Sequence, residues 1–419
     1  IEKVLYFMSQ RTVITGGTIV TGTEEIRADL VIDDEQIVAM LDDATGVDAD
    51  EVVDAADLLV LPGFVDLDGP VPAATSTPRT IADQRAATAG GTTTIVTDLV
   101  NAGSPEGART GQTADVAYWY PIGAGPLPTA EQVSRMAQTG IAGFATSMRA
   151  SGGHDTAIPD ADLLGLMTLL ARLDLPLSLS ALHPGLKIAH PLAEITAVST
   201  ALLLAEHTGA WVHLRGVSTG EALHRVADAR VRGTRVTVSV PALHLSLAAN
   251  DATRLLQPVP PLRPQETIDD LWPFVLDETV DCITSTRVQR KGRDGEPICD
   301  SQTVPALFWD EAVSQRHMSA AQAGRMLAGN PAQIAGLQRR KGAIRIGSDA
   351  DLVLFDPKGV WAVRSRDMLT EDAWSPLAER ELTGFVVRTI RRGRTIYDAD
   401  RHDDATLLPE GSGALLARG

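Results

Sequence analysis

The side chains in this sequence that could do chemistry are carboxylates, arginines and dispersed histidines. The apolar run Leu61-Pro62-Gly63-Phe64-Val65-Asp66-Leu67 ends in Asp68-Gly69-Pro70, and in an extended segment Asp68 and Pro70 share one face. Asp68 could ligate a metal through oxygen, whereas Pro70 offers no side-chain donor. Asp66 reads as a hydrogen bonder at a strand end. Arg149, Arg215 and Arg287 close short strand-like runs. A guanidinium there could grip a carboxylate or phosphate bidentately, or pair with Asp68 or Asp98.

Of the nine histidines, His183 falls in a predicted loop and His213 in a predicted strand. His154, His190, His207, His224, His244, His317 and His402 lack ligand spacing and read as structural or solvated. Cys282 lies in an apolar run and Cys299 in a polar loop, which argues against a disulfide framework or a Cys-based zinc site and for a reducing compartment. No Gly-x-Ser-x-Gly elbow or cysteine nucleophile constellation occurs. Asn101-Ala102-Gly103-Ser104-Pro105 is a turn signal without a phosphate loop behind it.

Such scattered groups need a scaffold that gathers distant strand ends. Thr12 to Met40 reads as short strands and turns, and Val52-Val53-Asp54 and Leu58 to Leu61 add two more strands before Pro62-Gly63. From Asp66 the rhythm becomes alternating helix and strand. Thr80 to Ala89 predicts a helix stopped by Gly90-Gly91, followed by the β-branched strand Thr92 to Val96. Asp160 caps a helix carrying Leu163, Leu164, Met167 and Leu170, with the strand Leu175 to Leu179 behind it. Leu192 to His207 is the next helix and Ala210 to Leu214 its strand. Ser218-Thr219-Gly220-Glu221 matches a capping box opening a helix to Gly233, before the strand Thr234 to Val240. After Asn330-Pro331-Ala332 short strands return: Gly342-Ala343-Ile344, Asp351 to Phe355, Val386 to Ile390 and Thr395-Ile396-Tyr397. The expected fold is α/β: a (β/α)8 TIM-like barrel over 64–337, with a flanking β-sandwich built from 11–63 and 338–419. The C-terminal strand ends form the mouth of such a barrel, where its active sites lie.

Composition bounds the function. With 44% hydrophobic and 22% charged residues in 419, the chain is globular with enough apolar material for a large core. A net charge of -17 with dispersed Lys and Arg argues against nucleic acid and anionic membranes as partners. No run approaches the roughly 20 apolar residues of a spanning helix, so a cytoplasmic protein is expected. Residues 1–7 do not join the pattern that begins at Arg11, and Met8 reads as a natural start.

Leu61 to Leu67, together with Ala86-Ala87-Thr88-Ala89-Gly90-Gly91-Thr92-Thr93, resembles the first strand and first helix-to-strand turn of the cyclic amidohydrolases (dihydroorotases, hydantoinases, allantoinases). Asn330-Pro331-Ala332, Lys341-Gly342-Ala343-Ile344 and Gly347-Ser348-Asp349-Ala350-Asp351-Leu352-Val353 resemble the C-terminal signature of that family. The likeness runs over nearly the whole chain from Thr12 and implies the same barrel and sandwich. It also implies a metal held by a His-x-His pair, a carboxylated lysine, two further histidines and an aspartate, a site that activates water and polarises an amide carbonyl.

Carried over position by position, the resemblance puts Asp68 and Pro70 at the His pair, Ala145 at the lysine, Ser180 and Gly216 at the later histidines and Thr286 at the aspartate. His213 lies three residues before Gly216, and if the strand is regular through both, alternation aims it away from the barrel interior. His183, Arg149, Arg215 and Arg287 remain as pocket candidates. The resulting expectation is a metal-ligand-deficient, dihydroorotase-like protein with no cofactor and no catalysis. It would serve as a structural or regulatory partner, by family analogy of aspartate carbamoyltransferase in pyrimidine synthesis, and would form homo-oligomers. Two alternatives stand beside it: an active cyclic-amide hydrolase with zinc or another divalent metal at an atypical site, and a protein that binds an anionic metabolite.

Overall fold

The structure, a computed structural model, describes residues 10–70, 78–99, 113–150, 157–250, 253–290, 298–401 and 412–419. The readings of residues 1–7, 101–105, His154 and His402 fall outside them. The first section forms β1 (Arg11–Thr15), β2 (Thr18–Val20), β3 (Glu25–Arg27), β4 (Asp29–Asp33), β5 (Gln36–Leu41), β6 (Glu51–Asp54) and β7 (Leu59–Pro62). Branched residues dominate these strands, and their buried faces, including Ile14, Ile19, Leu30, Ile32 and Val60, meet in one apolar cluster. Each such side chain contributes about 1.5–3 kcal/mol relative to exposure.

The barrel follows as alternating units: β8 (Phe64–Asp66), α1 (Pro78–Ala89), β9 (Thr92–Asp98), β10 (Asp115–Pro121), α2 (Ala130–Ala137), β11 (Gly143–Ser147), α3 (Asp160–Arg172), β12 (Leu177–Ser180), α4 (Pro191–Thr208), β13 (Val212–Arg215), α5 (Gly220–Val231) and β14 (Val236–Pro241). A strand outside the barrel, β15 (Leu256–Pro258), and α6 (Gln265–Leu276) precede the eighth barrel strand, β16 (Cys282–Thr284). The eight strands run parallel in the order β16-β14-β13-β12-β11-β10-β9-β8. The ring is drawn shut where Ser285, just past β16, donates its backbone N–H (3.2 Å) and its hydroxyl (2.5 Å) to the Asp66 carboxylate at the end of β8. Val65, Val96, Trp119, Ala145 and Cys282 fill the interior. Val212, Leu214, Val236 and Val238 face the other way, into the cluster with Leu223 and Val226 of α5.

Beyond β16, β17 (Arg287–Arg290) and β18 (Ile298–Cys299) form a hairpin that adds β15 as a third strand. The chain then returns to the sandwich as β19 (Leu352–Ala362), β20 (Glu381–Arg391) and β21 (Arg394–Asp398). Val353 of β19 pairs with Leu61 of β7, so both ends of the chain share the six-stranded sheet that lies with the sheet β5-β4-β1-β6.

Local signals differ from the observed structure at three places. Gly342-Ala343-Ile344 is a turn, not a strand: Gly342 sits at φ +81°, and a Cβ there would meet the Ala328 carbonyl oxygen at 2.6 Å. The Ser218–Glu221 box does not close. Thr219 is the N-cap of α5 without a side-chain cap bond, because the hydroxyls of Ser218 and Thr219 are drawn to Glu194 (2.5 and 2.6 Å). Asp160 is the first residue of α3 and Pro159 occupies the cap.

Candidate active site

Among the described residues, the C-terminal strand ends bring the carboxylates of Asp66, Asp68, Asp98 and Asp300 toward the guanidinium of Arg215. Asp66, at the end of β8, accepts the Ser285 bonds and the Asp68 N–H (3.1 Å). It is buried, and that burial raises its pKa above the ordinary carboxylate value. Asp68 is partly exposed, and Pro70 is buried. Arg215, at the end of β13, reaches across the mouth to β9, where Nη1 donates to both oxygens of Asp98 (3.0 and 3.1 Å) and stands 3.9 Å from Asp68.

The fourth carboxylate was not singled out from the sequence. Asp300 follows β18, and because Arg287 pairs with Cys299 the hairpin carries it back beside Thr286. The Thr286 N–H donates to Asp300 Oδ1 at 2.7 Å. Asp300 is 5% exposed, and its Oδ2 has no hydrogen-bond partner among the described residues. Burial pushes its pKa up to about 8, against the Thr286 N–H and with the help of the negative charges of Asp66 and Asp68. Nothing in the local sequence marks this residue; only the return of the hairpin places it.

The remaining candidates divide clearly. Ala145, Ser178, His213 and Thr237 are successive ladder partners, so His213 shares the inward face of Ala145. This corrects the expectation that His213 points outward. β13 ends at Arg215 and Gly216 turns at φ +66°, so strand alternation does not extend from Gly216 back to His213. His213 Nδ1 lies 3.0 Å from the Thr237 hydroxyl, and burial lowers its pKa to about 3, leaving the ring neutral. Ser180 sits one ladder step nearer the mouth, level with Arg215.

Arg149 serves the chain itself, donating through Nη1 to the carbonyls of His183 (2.9 Å), Pro184 (3.4 Å) and Leu186 (2.7 Å). His183 accepts the Gly185 N–H at Nδ1 (3.1 Å). The backbone of Arg287 lies in β17, and its side chain is outside the described residues. With Arg215 committed to Asp98 and Arg149 to carbonyls, neither stands ready for an anionic metabolite. Cys299 is buried and its pKa is pushed up by burial, so its thiol is no nucleophile.

Behind the mouth, Glu194 and Arg263, each 2% exposed at the side chain, pair at 3.4 Å. Arg263 also donates to Ser218 Oγ and the Ala189 carbonyl. This network, which no sequence motif announces, ties the loops after β12 and β13 to the segment before α6 and holds the rim in place.

At the opposite end of the barrel, Asp115, Asp349 and Asp351 bring one carboxylate oxygen each within 4.8 Å of the others. The Lys341 ammonium already lies among them, at 2.6, 2.9 and 2.7 Å.

Comparison with known proteins accounts for this architecture. Residues 292–397 match the amidohydrolase family. An allantoinase from Rubrobacter xylanophilus is 34% identical over 437 aligned positions, covering 93% of this chain and 94% of that protein. The chain belongs to the cyclic amidohydrolase superfamily. A Solibacter usitatus allantoinase is 28% identical, over 97% and 96% of the two chains. The L-hydantoinase of Arthrobacter aurescens shares the fold with a TM-score of 0.88 at 21% identity, over 98% and 100% of the two chains. The dihydropyrimidinase of Brevibacillus agri does so at 0.85 and 22%, over 98% and 99%.

For this amidohydrolase the comparisons correct two expectations. A catalytically silent partner in pyrimidine synthesis is overturned by relatives named allantoinase over almost the full length. The expectation of no metal is corrected with it, since over almost its full length the chain aligns with allantoinases and hydantoinases, the class whose likeness implies a metal, and one buried carboxylate trio of ligand spacing has to be tested against it. That trio does not fit the ion, because Lys341 fills its centre and it lies at the end of the barrel away from the mouth. At the mouth, the positions expected to carry nitrogen, carbamate and carboxylate ligands hold Asp68, Pro70, Ala145, Ser180, Gly216 and Thr286. Among the described residues, two buried inward or mouth-side donors of metal-binding type lack a hydrogen-bond partner, Oδ2 of Asp300 and Nε2 of His213. Among the described residues no helix is long and apolar enough to cross a membrane.

Proposed function

We propose that this chain hydrolyses a ring C–N bond of a cyclic amide of the allantoin and hydantoin class. The observation that carries the reading is the 34% identity to an allantoinase across 93% of the chain. The mouth supports it chemically. Opening a cyclic amide requires a polarised carbonyl, a deprotonated water and a proton for the leaving nitrogen. A divalent ion would supply the first two when bound, and Asp300, whose buried Oδ2 has no hydrogen-bond partner among the described residues, would be a ligand for it. Arg215 is a fixed positive charge above the mouth, and its lock on Asp98 keeps it there. Asp66, bonded by Ser285, joins β8 to β16 and holds the rim on which Asp68 stands.

The test is direct. Protein prepared without chelators is assayed for metal content, then incubated with allantoin, hydantoin, dihydrouracil and dihydroorotate in the presence of manganese, zinc, cobalt or magnesium. Ring-opened product is followed by chromatography. Turnover of allantoin or hydantoin is the expected result, and absence of turnover of every ring with every metal overturns the proposal.

A further inference from the structure

We propose that the floor of the barrel is a peptide-binding groove, filled in cis by residues 412–419, which complete the sheet by strand addition and can leave it as a unit. The groove begins as a gap between two strands. β9 pairs with β10 from Asp115 to Trp119, but β11 joins β10 only from Trp119 onward. The first half of β10 therefore offers an edge that no barrel strand covers. Residues 414–416 cover it. Val116 donates its N–H to the Ala414 carbonyl and accepts the Leu416 N–H, both at 2.8 Å, and Val116 and Leu415 form a parallel bridge. In strand addition, main-chain bonds hold an extended segment and successive side chains enter opposite faces. Leu415 packs against the cluster of Leu99, Val116 and Tyr118, while Leu416, 2% exposed, belongs to the interior cluster with Trp119, Ala142 and Ala145.

Polar groups hold both ends of the segment. Arg391 Nη2 donates to the Ser412 carbonyl (3.1 Å) and hydroxyl (2.7 Å), Arg392 Nη2 donates to the same carbonyl (2.7 Å), and Asp115 Oδ1 accepts the Ala414 N–H (2.7 Å). At the other end Arg418 Nη1 donates to the carbonyls of Ala142 (3.0 Å) and Ile334 (3.3 Å). Its guanidinium stands 5.0 Å from the centre of the Trp211 ring, within cation–π range. A Cβ on Gly336 would come within 2.3 Å of Arg418 Cγ, so the floor admits this arginine only beside a glycine. The ligand class follows: an extended peptide with two adjacent leucines and an arginine two residues further on. Release is local because, of residues 412–419, only Leu416 is buried. Lifting the segment uncovers one large apolar side chain and leaves the barrel core in place, which sets it at the low end of the opening free energies within a fold.

The experiment uses the full chain and two fluorescently labelled peptides, one with the sequence Ser412 to Gly419 and one carrying Leu416→Asp. Wild type and the full-length variant Leu416→Asp, which expels its own segment by burying a charge, are compared by fluorescence anisotropy after circular dichroism has checked folding. The expected result is that Leu416→Asp binds one equivalent of the first peptide. Wild type, whose groove is filled by a tethered copy, binds it at least about tenfold more weakly, and neither chain binds the second peptide. No binding by the variant, equal binding of the two peptides, or equal affinity of the two chains overturns the proposal. Should Leu416→Asp fail to fold, Arg418→Ala decides by hydrogen exchange. Faster exchange at Leu416 and at Val116, whose N–H the segment covers, with β12 and β13 unchanged, supports a groove that opens as a unit. Unchanged exchange at Val116, or acceleration throughout the barrel, overturns it. None of these readouts depends on hydrolysis at the mouth.

Discussion

A group of carboxylates sits at each end of this barrel, and the two are balanced in opposite ways. At the lower end Asp115, Asp349 and Asp351 face Lys341, with Arg340 on Asp349 and Arg391 and Arg392 near Asp115. Three negative charges meet four positive ones, and the Lys341 pKa is raised by its carboxylates against the pull of burial. At the mouth Asp66, Asp68, Asp98 and Asp300 gather near Arg215, which pairs with Asp98 at 3.0 Å and stands 3.9 Å from Asp68. The lower group joins barrel to sandwich and leaves no room for a ligand. The upper group is partly open and includes a carboxyl whose pKa is displaced to about 8. Proximity of acidic side chains therefore does not by itself mark a metal site: the closest trio is filled by its own lysine, whereas the buried Asp300 Oδ2 has no hydrogen-bond partner among the described residues.

The largest expected effect breaks the lower balance. Lys341→Met leaves three buried carboxylates without their central cation and should cost about 3–5 kcal/mol of stability, measured by urea denaturation. A loss below about 1 kcal/mol would show that the arginines alone carry the charge, and the contrast between the two ends would collapse.

At the mouth the sign reverses. Below about pH 4 Asp300 is protonated in folded and unfolded chains alike and contributes nothing. As pH rises toward 8 the unfolded carboxyl ionises while the folded one keeps its proton, so its contribution falls and then levels off above pH 8. In chelator, Asp300→Asn should therefore be more stable than wild type at pH 9, by about 2 kcal/mol or more, and equal to it at pH 4. Thermal unfolding across that range checks it, and a variant destabilised at pH 9 would refute the buried-proton account.

The smallest effect concerns the rim. Arg149→Ala removes three bonds to the carbonyls of the loop at 183–186 and should cost about 1–2 kcal/mol. Faster proteolysis or hydrogen exchange confined to that loop is the expected signature. Unchanged exchange there would mean that the loop holds itself.

Much of the scaffold is legible in one dimension. The turn at Gly209, with φ +72° after α4, and the β-branched run that becomes β9 announce themselves because capping and alternation are local rules. The site is less legible. Asp68 and Arg215 were identifiable as residues near strand ends, and their meeting with Asp98 was one of two readings weighed. Asp300 gave no signal, since a carboxylate in a polar loop looks like any solvated one until the hairpin folds back. His213 was read the wrong way because alternation was continued through a glycine that ends the strand.

The sequence by itself determined the order of elements, the passage from sandwich to barrel at Leu61 to Asp66, and the superfamily. These depend on periodicity and turn chemistry within a few residues. Only the tertiary structure decided which carboxylates are neutralised and which are not. Lys341 bonds Asp115 across 226 positions of chain, and Asp300 reaches Thr286 only because β17 and β18 pair. Electrostatic balance depends on distance and burial in space, and neither is written in the spacing of residues along the chain.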